Sequence, residues 1–321
     1  MAEIGSSKKV VHLALAGDLL VAATKFIAAA LTGGASLASE GVHSLVDAGN
    51  ELLLLYGYRR AQRRPDETHP LGYGRELYFW SFVVSLLLFT LGAGFSIGEG
   101  VWRLFVPHPI EQVAVAYIVL ALAAAFDGFA WFAALRAFNK AKGDSSYWRA
   151  IKDSKDPPVF MVLAVDSAAL IGVAIAAVGI SLASAFQNSV FDGVASILIG
   201  LLLAAVAWIL ARESKGLLVG EAATRDFSAS LIALARSQEG VDGAHGATTT
   251  HLAPDQVVAA LCIEFSDELR APEIEEAVRS LERRVREKHP EVVALFVKPQ
   301  TRRAFKPGGD AKEPRIARPL A

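Results

Sequence analysis

The sequence predicts a membrane α-helical protein: six transmembrane helices followed by a small α+β cytosolic domain. Three observations predict it. Of 321 residues, 53% are hydrophobic and 20% charged, against the roughly 25% charge of soluble domains. The apolar residues fill long blocks before about residue 211, and most of the remaining charge lies beyond it. Six of those blocks, at about 10–31, 37–58, 77–102, 111–135, 158–183 and 190–211, reach the roughly 20 residues that a bilayer crossing needs. The first block is too long and continuous for a signal peptide, and it is expected to be a retained helix.

The connections set the orientation. Thr32-Gly33-Gly34-Ala35-Ser36 and Ala183-Ser184-Ala185-Phe186-Gln187-Asn188 carry no Lys or Arg, and the third-to-fourth connection has Arg103 alone. The other connections are basic: Lys8 and Lys9; Arg59, Arg60, Arg63, Arg64 and Arg75; Arg136, Lys140, Lys142, Arg149, Lys152 and Lys155; Arg212 and Lys215. They fall on one side every time, which places both termini in the cytoplasm of a protein of the cell (inner) membrane.

Three divisions follow: 1–211 membrane domain, 212–300 cytosolic domain, 301–321 a disordered tail of Gly, Pro and scattered charge. Within the second, Asp226–Gln238 reads as an amphipathic helix, Thr248–Leu252 and Gln256–Phe265 as strands, Pro272–Lys288 as a helix and Glu291–Val297 as a third strand. That order resembles a ferredoxin-like module. The near balance of 32 basic and 33 acidic residues gives no field to attract nucleic acid. A single cysteine, Cys262, excludes a disulfide framework and zinc sites built on paired cysteines. The sequence has no phosphate-cradling glycine loop and no nucleophile motif, so neither an enzyme nor a prosthetic group is expected, and an ion gradient is the energy source.

Ionisable groups inside a membrane helix cost roughly 2.5–3.5 kcal/mol near its centre, so those present require a reason. In the second helix His43 and Asp47 stand four residues apart and share a face. An imidazole and a carboxylate there form half of a tetrahedral site for a divalent metal; the alternative is a hydrogen-bonded pair that fixes helix packing. Asp166 is a lone acid in the fifth helix. With His43 and Asp47 it would make a three-ligand site that leaves one position open and can release its ion. Asp18 and Lys25 share a face of the first helix, as a charge pair or with Lys25 snorkelling; Asp18 is also a candidate for an acid just behind the metal ligands, or for the missing fourth ligand. Asp66 and His69, in the loop before the third helix, are a candidate second metal site. Glu99 and Asp192 are expected to meet water or backbone, and Asp127 has no assigned role.

These residues are similar to a known pattern. His43-Ser44-Leu45-Val46-Asp47, Gly33–Ala35 and Asp66-Glu67-Thr68-His69-Pro70-Leu71-Gly72-Tyr73-Gly74-Arg75 resemble the cation diffusion facilitator family of divalent-metal/proton antiporters. Glu76-Leu77-Tyr78-Phe79-Trp80-Ser81-Phe82 and Leu217-Leu218-Val219-Gly220-Glu221 resemble the subgroup of the mitochondrial zinc transporter nine. The resemblance implies a homodimer in the lipid bilayer that exports a divalent metal, Zn²⁺ foremost, against protons. It places the metal on His43, Asp47 and Asp166. The family's fourth ligand position falls at Val162, and the acid that the subgroup often carries before its helix-five aspartate is Val165 here. A charge interlock is assigned to Arg75 and Glu221. Two alternatives follow from Val162: a transport-defective metal-binding scaffold or sensor, and a carrier of Co²⁺, Cd²⁺, Fe²⁺ or Mn²⁺.

Overall fold

The structure, a computed structural model, describes residues 2–32, 35–106, 113–142 and 157–303. The Gly33-Gly34 turn, the basic connection over 143–156 and the tail from residue 304 lie outside the described residues, as does the side chain of His43.

The first unit ends at Val219. Among its described residues the helices are α1 (Ala2–Thr32), α2 (Ala35–Ala61), α3 (Glu76–Phe105), α4 (Val113–Lys142), α5 (Pro157–Phe186) and α6 (Val190–Val219). Helices are the solution for such apolar stretches because every backbone group bonds within its own segment. Four of them, α3 to α6, contain spans long and apolar enough to cross a membrane among the described residues. α1 and α2 are as long but interrupted by Asp18, Lys25, Ser44, Asp47, Asn50 and Glu51.

α6 continues in one piece through Arg212 and Lys215, so the first unit ends eight residues beyond the boundary expected at 211. A helix does not stop where its hydrophobic face meets water. This one stops at Gly220, whose φ of 117° lies outside helical geometry.

Small residues decide how the helices meet. α3 and α6 cross so closely that a Cβ on Gly100 would lie 2.7 Å from the carbonyl oxygen of Gly193, and one on Gly200 2.9 Å from the Ile97 nitrogen. Backbone approach of this kind packs helices where the hydrophobic effect between them is absent. α3 also carries a π-helical stretch, Leu88–Ala93. α1 packs on α2 and α4, and α5 on α4 and α6. The interior is closed by Tyr58, Tyr78, Phe138, Phe160, Met161 and Leu210, all nearly inaccessible. Phe105, Trp208 and Phe129 point outward at 80%, 69% and 65% exposure, an apolar exterior suited to lipid.

The second unit begins at Gly220. It contains α7 (Arg225–Arg236), β1 (Val241–Ala253), β2 (Gln256–Phe265), α8 (Ala271–Lys288) and β3 (Val292–Pro299). Thr224 caps α7 by accepting from the Phe227 N–H at 3.3 Å, and Glu273 accepts from the Arg270 N–H at 2.7 Å to open α8. β1 and β2 pair antiparallel, β2 and β3 parallel, in the order β1-β2-β3. The ferredoxin-like pattern sets another strand between the two that its second helix joins; here β2 and β3 are direct neighbours. β1 starts seven residues before the expected Thr248, because Gly243, Ala244, Gly246 and Ala247 carry little strand signal. Leu231, Ala235, Leu261, Ile263, Leu281 and Val285 form the core of this unit.

Two substitutions test this packing. Gly200→Leu forces a side chain against the α3 backbone and should cost about 1–3 kcal/mol, read as a lower thermal midpoint of the detergent-solubilised protein. Leu261→Ala leaves a cavity in the second unit and should cost about 2–5 kcal/mol, read by denaturant unfolding of that unit.

Candidate metal-binding site

The helices of the first unit surround a cavity of about 270 Å³. Asp18 and Lys25 reach it from α1, Ser44, Asp47, Asn50 and Glu51 from α2, Glu99 from α3, Asp127 from α4, and Val162 and Asp166 from α5. Six carboxylates from five helices thus line one space among the described residues. At roughly 30 Å³ per water, it has room for an ion with part of its hydration shell.

Helical spacing explains the clustering. A four-residue step climbs about 6 Å and turns about 40° past a full circle, so Asp47 and Glu51 follow one another on one face of α2, and Val162 and Asp166 on one face of α5. Asp166 is 9% exposed and Glu51 6%. Asp166 Oδ2 and Glu51 Oε2 are buried without a hydrogen-bond partner. The residue after Asp166 serves packing instead. Ser167 Oγ accepts from Trp131 Nε1 at 2.8 Å and donates to the Leu163 carbonyl at 2.6 Å, tying α5 to α4. Asp166 itself is left to the cavity.

The structure brings Asp47 and Asp166, two of the three ligands read from the sequence, to this cavity. His43 sits one turn before Asp47 on α2, with its side chain outside the described residues. Among the described residues no three His, Cys, Asp or Glu side chains converge tightly enough to hold a metal ion. The acids stand around the space rather than closing on one point. Val162, 1% exposed, presents only methyl groups to the cavity.

Three acids change meaning. Asp18 lines the cavity directly, and so does Asp127, which the sequence left without a role. Glu51 is absent from the sequence-based set, although the step that joins His43 to Asp47 reaches it when repeated once. Lys25 is turned inward and donates to Ser44 Oγ at 2.9 Å, so it does not snorkel to lipid.

The remaining charges hold the frame. At the end of α3 remote from Glu76, Arg103 pairs with Glu99 at 2.5 Å and with Asp192 of α6, where contact with water or backbone was expected. At the other end Arg60 of α2 pairs with Glu76 at 2.6 Å, and Trp80 Nε1 donates to Glu76 at 2.9 Å. In the loop between them, Asp66 Oδ1 accepts from the backbone N–H groups of Thr68 and His69 at 3.0 and 2.8 Å, and Oδ2 accepts from the Tyr73 hydroxyl at 2.6 Å. The Tyr73 hydroxyl, then the His69 N–H, hold the Asp66 carboxyl below the usual carboxylate range. His69 Nδ1 lies 3.7 Å from Asp66, and its ring packs on Tyr73. Both oxygens of Asp66 therefore already organise the loop. Arg75 lies just before α3, and Glu221 follows α6 at the start of the second unit, where its carbonyl accepts from the His251 N–H at 2.9 Å.

In the second unit, His245 pairs with Glu264 at 2.7 Å, His289 with Ser230 at 2.8 Å, and His251 is buried.

The cation efflux transmembrane domain model matches residues 11–219, from the first turns of α1 to the last residue of α6. The proton-coupled zinc antiporter SLC30A9, mitochondrial, of Homo sapiens is 33% identical over 260 residues, 80% of this chain and 46% of that protein. Metal tolerance protein C4 of Arabidopsis thaliana is 28% identical over 267 residues, 82% of this chain and 58% of the relative. The manganese efflux system protein MneS of Bacillus subtilis is 25% identical over 282 residues, 86% and 90% of the two chains. The chain spans about half the length of the first two relatives. Because the matched region is the helical unit that holds the acid-lined cavity, the chain belongs to the cation efflux family, the cation diffusion facilitators, and is similar to its zinc-transporter-nine members.

Proposed function

We propose that this protein is a secondary active transporter that exports a divalent metal cation, foremost Zn²⁺, from the cytoplasm in exchange for protons. The observation that carries the reading is the cavity lined by six carboxylates, with Asp166 Oδ2 buried and unpartnered inside it. A carboxylate removed from water must be compensated by a proton, a metal or a fixed cation. Lys25 supplies one positive charge; protons or a dication supply the rest, and each can displace the other.

In this reading His43, Asp47 and Asp166 bind the ion. Binding requires ionised carboxylates and a neutral imidazole, so it releases protons. Rocking of the helices then exposes the site to the other side. Protons returning from there, chiefly to His43, expel the metal, since an imidazole titrates near neutrality. Asp66 and His69 are a weaker stopping point on the basic side. The ion is substrate, not a resident group.

α1 and α2 complete six crossings: their 31 and 27 residues rise about 46 and 40 Å at 1.5 Å each. Both termini are cytoplasmic by the charge of the connections, the membrane is the cell (inner) membrane, and the assembly is a homodimer. The mitochondrial zinc antiporter and the metal tolerance and manganese efflux proteins among the relatives support divalent-metal efflux.

Val162 favours a second reading. A methyl-lined position where the family places a ligand suits either a scaffold that binds metal weakly or a carrier of another ion, Co²⁺, Cd²⁺, Fe²⁺ or Mn²⁺. Flux separates them, since a scaffold moves no Zn²⁺ into liposomes across a proton gradient.

Substitution tests both the ligand set and the methyl-lined position. His43→Ala and Asp47→Ala each abolish proton-driven Zn²⁺ uptake into inverted vesicles; wild-type rates in both variants would overturn the assignment. Val162→His completes a four-ligand shell of the kind that structural zinc sites use, so it should tighten Zn²⁺ binding by titration calorimetry and slow turnover. A strong rise in Zn²⁺ flux instead would point to another native ion.

A further inference from the structure

Resting on the transporter reading, we propose that Glu51 is a ligand of the transported dication, supplying from α2 the anionic oxygen that α5 lacks at Val162.

Of the α5 residues that line the cavity, Asp166 alone carries a carboxylate; Val162, one turn before it, has no donor atom. Val165, beside Asp166, has none either. The three sequence-read ligands thus leave a dication short of one protein donor in a tetrahedral arrangement. Glu51 lines the same cavity. It is 6% exposed, and its Oε2 is buried with no hydrogen-bond partner. Asp166 Oδ2 is in the same condition on α5. Buried polar atoms are nearly always satisfied, so two unpartnered acid oxygens on one cavity call for one occupant.

The occupant must be cationic: Lys25, whose Nζ donates to Ser44 Oγ, brings a single positive charge to a cavity lined by six carboxylates. Glu51 sits about 6 Å and 40° beyond Asp47 on α2, and its side chain is one methylene longer, so it can lean along the helix toward an ion held by Asp47. The acids do not converge in this structure; drawing them onto one ion is the closing step that binding would drive. A set of one imidazole and three carboxylates is also richer in oxygen than the sequence-read set, which widens the range of divalent ions that the site accepts toward harder ones such as Mn²⁺.

The test measures Zn²⁺ binding to the full chain in detergent by titration calorimetry, for wild type, Asp47→Asn, Glu51→Gln, Glu51→Asp and the double variant Glu51→Gln/Val162→His. Removal of a ligand or its support typically weakens metal binding about 10–100-fold, and Glu51→Gln should fall in that range. Glu51→Asp keeps the charge and should bind between wild type and Glu51→Gln. The double variant should recover most of the affinity, because an imidazole from α5 fills the vacant place. Glu51→Gln binding within about twofold of wild type, while Asp47→Asn loses binding, overturns the role of Glu51 and leaves the transporter reading intact. Weak binding in Glu51→Gln without recovery in the double variant assigns Glu51 to packing and also overturns the proposal. Failure of the wild type to bind Zn²⁺ removes the transporter reading and this proposal with it.

Discussion

One constraint organises the helical unit: carboxylates taken out of water need positive charge beside them. Asp18, Asp47, Glu51, Glu99, Asp127 and Asp166 line a single cavity, with Lys25 as the one basic side chain among the described residues that line it. Such a space is a charge deficit held in place by helix packing. Whatever fills it must carry positive charge, and in the proposed transport cycle protons and metal replace one another there.

The rest of the unit keeps that deficit in place without satisfying it. Ser167 commits its hydroxyl to Trp131 and to the Leu163 carbonyl, which fixes α5 against α4 while Asp166 Oδ2 stays unpartnered. Ser81 and Ser85 bond back to carbonyls of α3 at 2.8 and 2.9 Å, so those buried hydroxyls compete for nothing in the cavity. The glycine-lined crossing of α3 and α6 forms a tight pair, with Ser196 Oγ donating to the Ser96 carbonyl across it at 3.0 Å. Beside this crossing, the π-helical stretch over Leu88–Ala93 changes the hydrogen-bond register of α3, a feature often found at functional sites.

Charge placement away from the cavity follows a different rule. Arg103 with Glu99 and Asp192, and Arg60 with Glu76, are paired clamps at opposite ends of α3. A guanidinium can satisfy several acceptors at once through its fork of donors, so these acids are closed structural contacts. Glu99 lines the cavity from within such a clamp, whereas Glu51 Oε2 and Asp166 Oδ2 are buried there without a hydrogen-bond partner, and this difference separates a candidate ion site from a charge that only holds helices together.

The sequence carried the helical class, the approximate place of each helix, the order of elements in the second unit, and the step that sets His43 and Asp47 on one face, although α1 begins eight residues before its apolar block and α6 ends eight residues after its own. All of these are local: they depend on apolar run length and on a period of 3.6 residues, which a single chain segment carries within itself. It also marked Val162 as a position without a donor. Tertiary contacts were needed to show that Asp127, Asp18, Glu51 and Glu99 line the same space as Asp47 and Asp166, that Lys25 turns inward, and that Glu99 and Asp192 share Arg103. Which acid meets which neighbour depends on how each helix rotates about its own axis and on how closely glycine lets two backbones approach. Both are set by contacts between segments far apart in the chain, so no window of sequence contains them. The direct β2–β3 pairing belongs to the same class, because element order is local and strand adjacency is not.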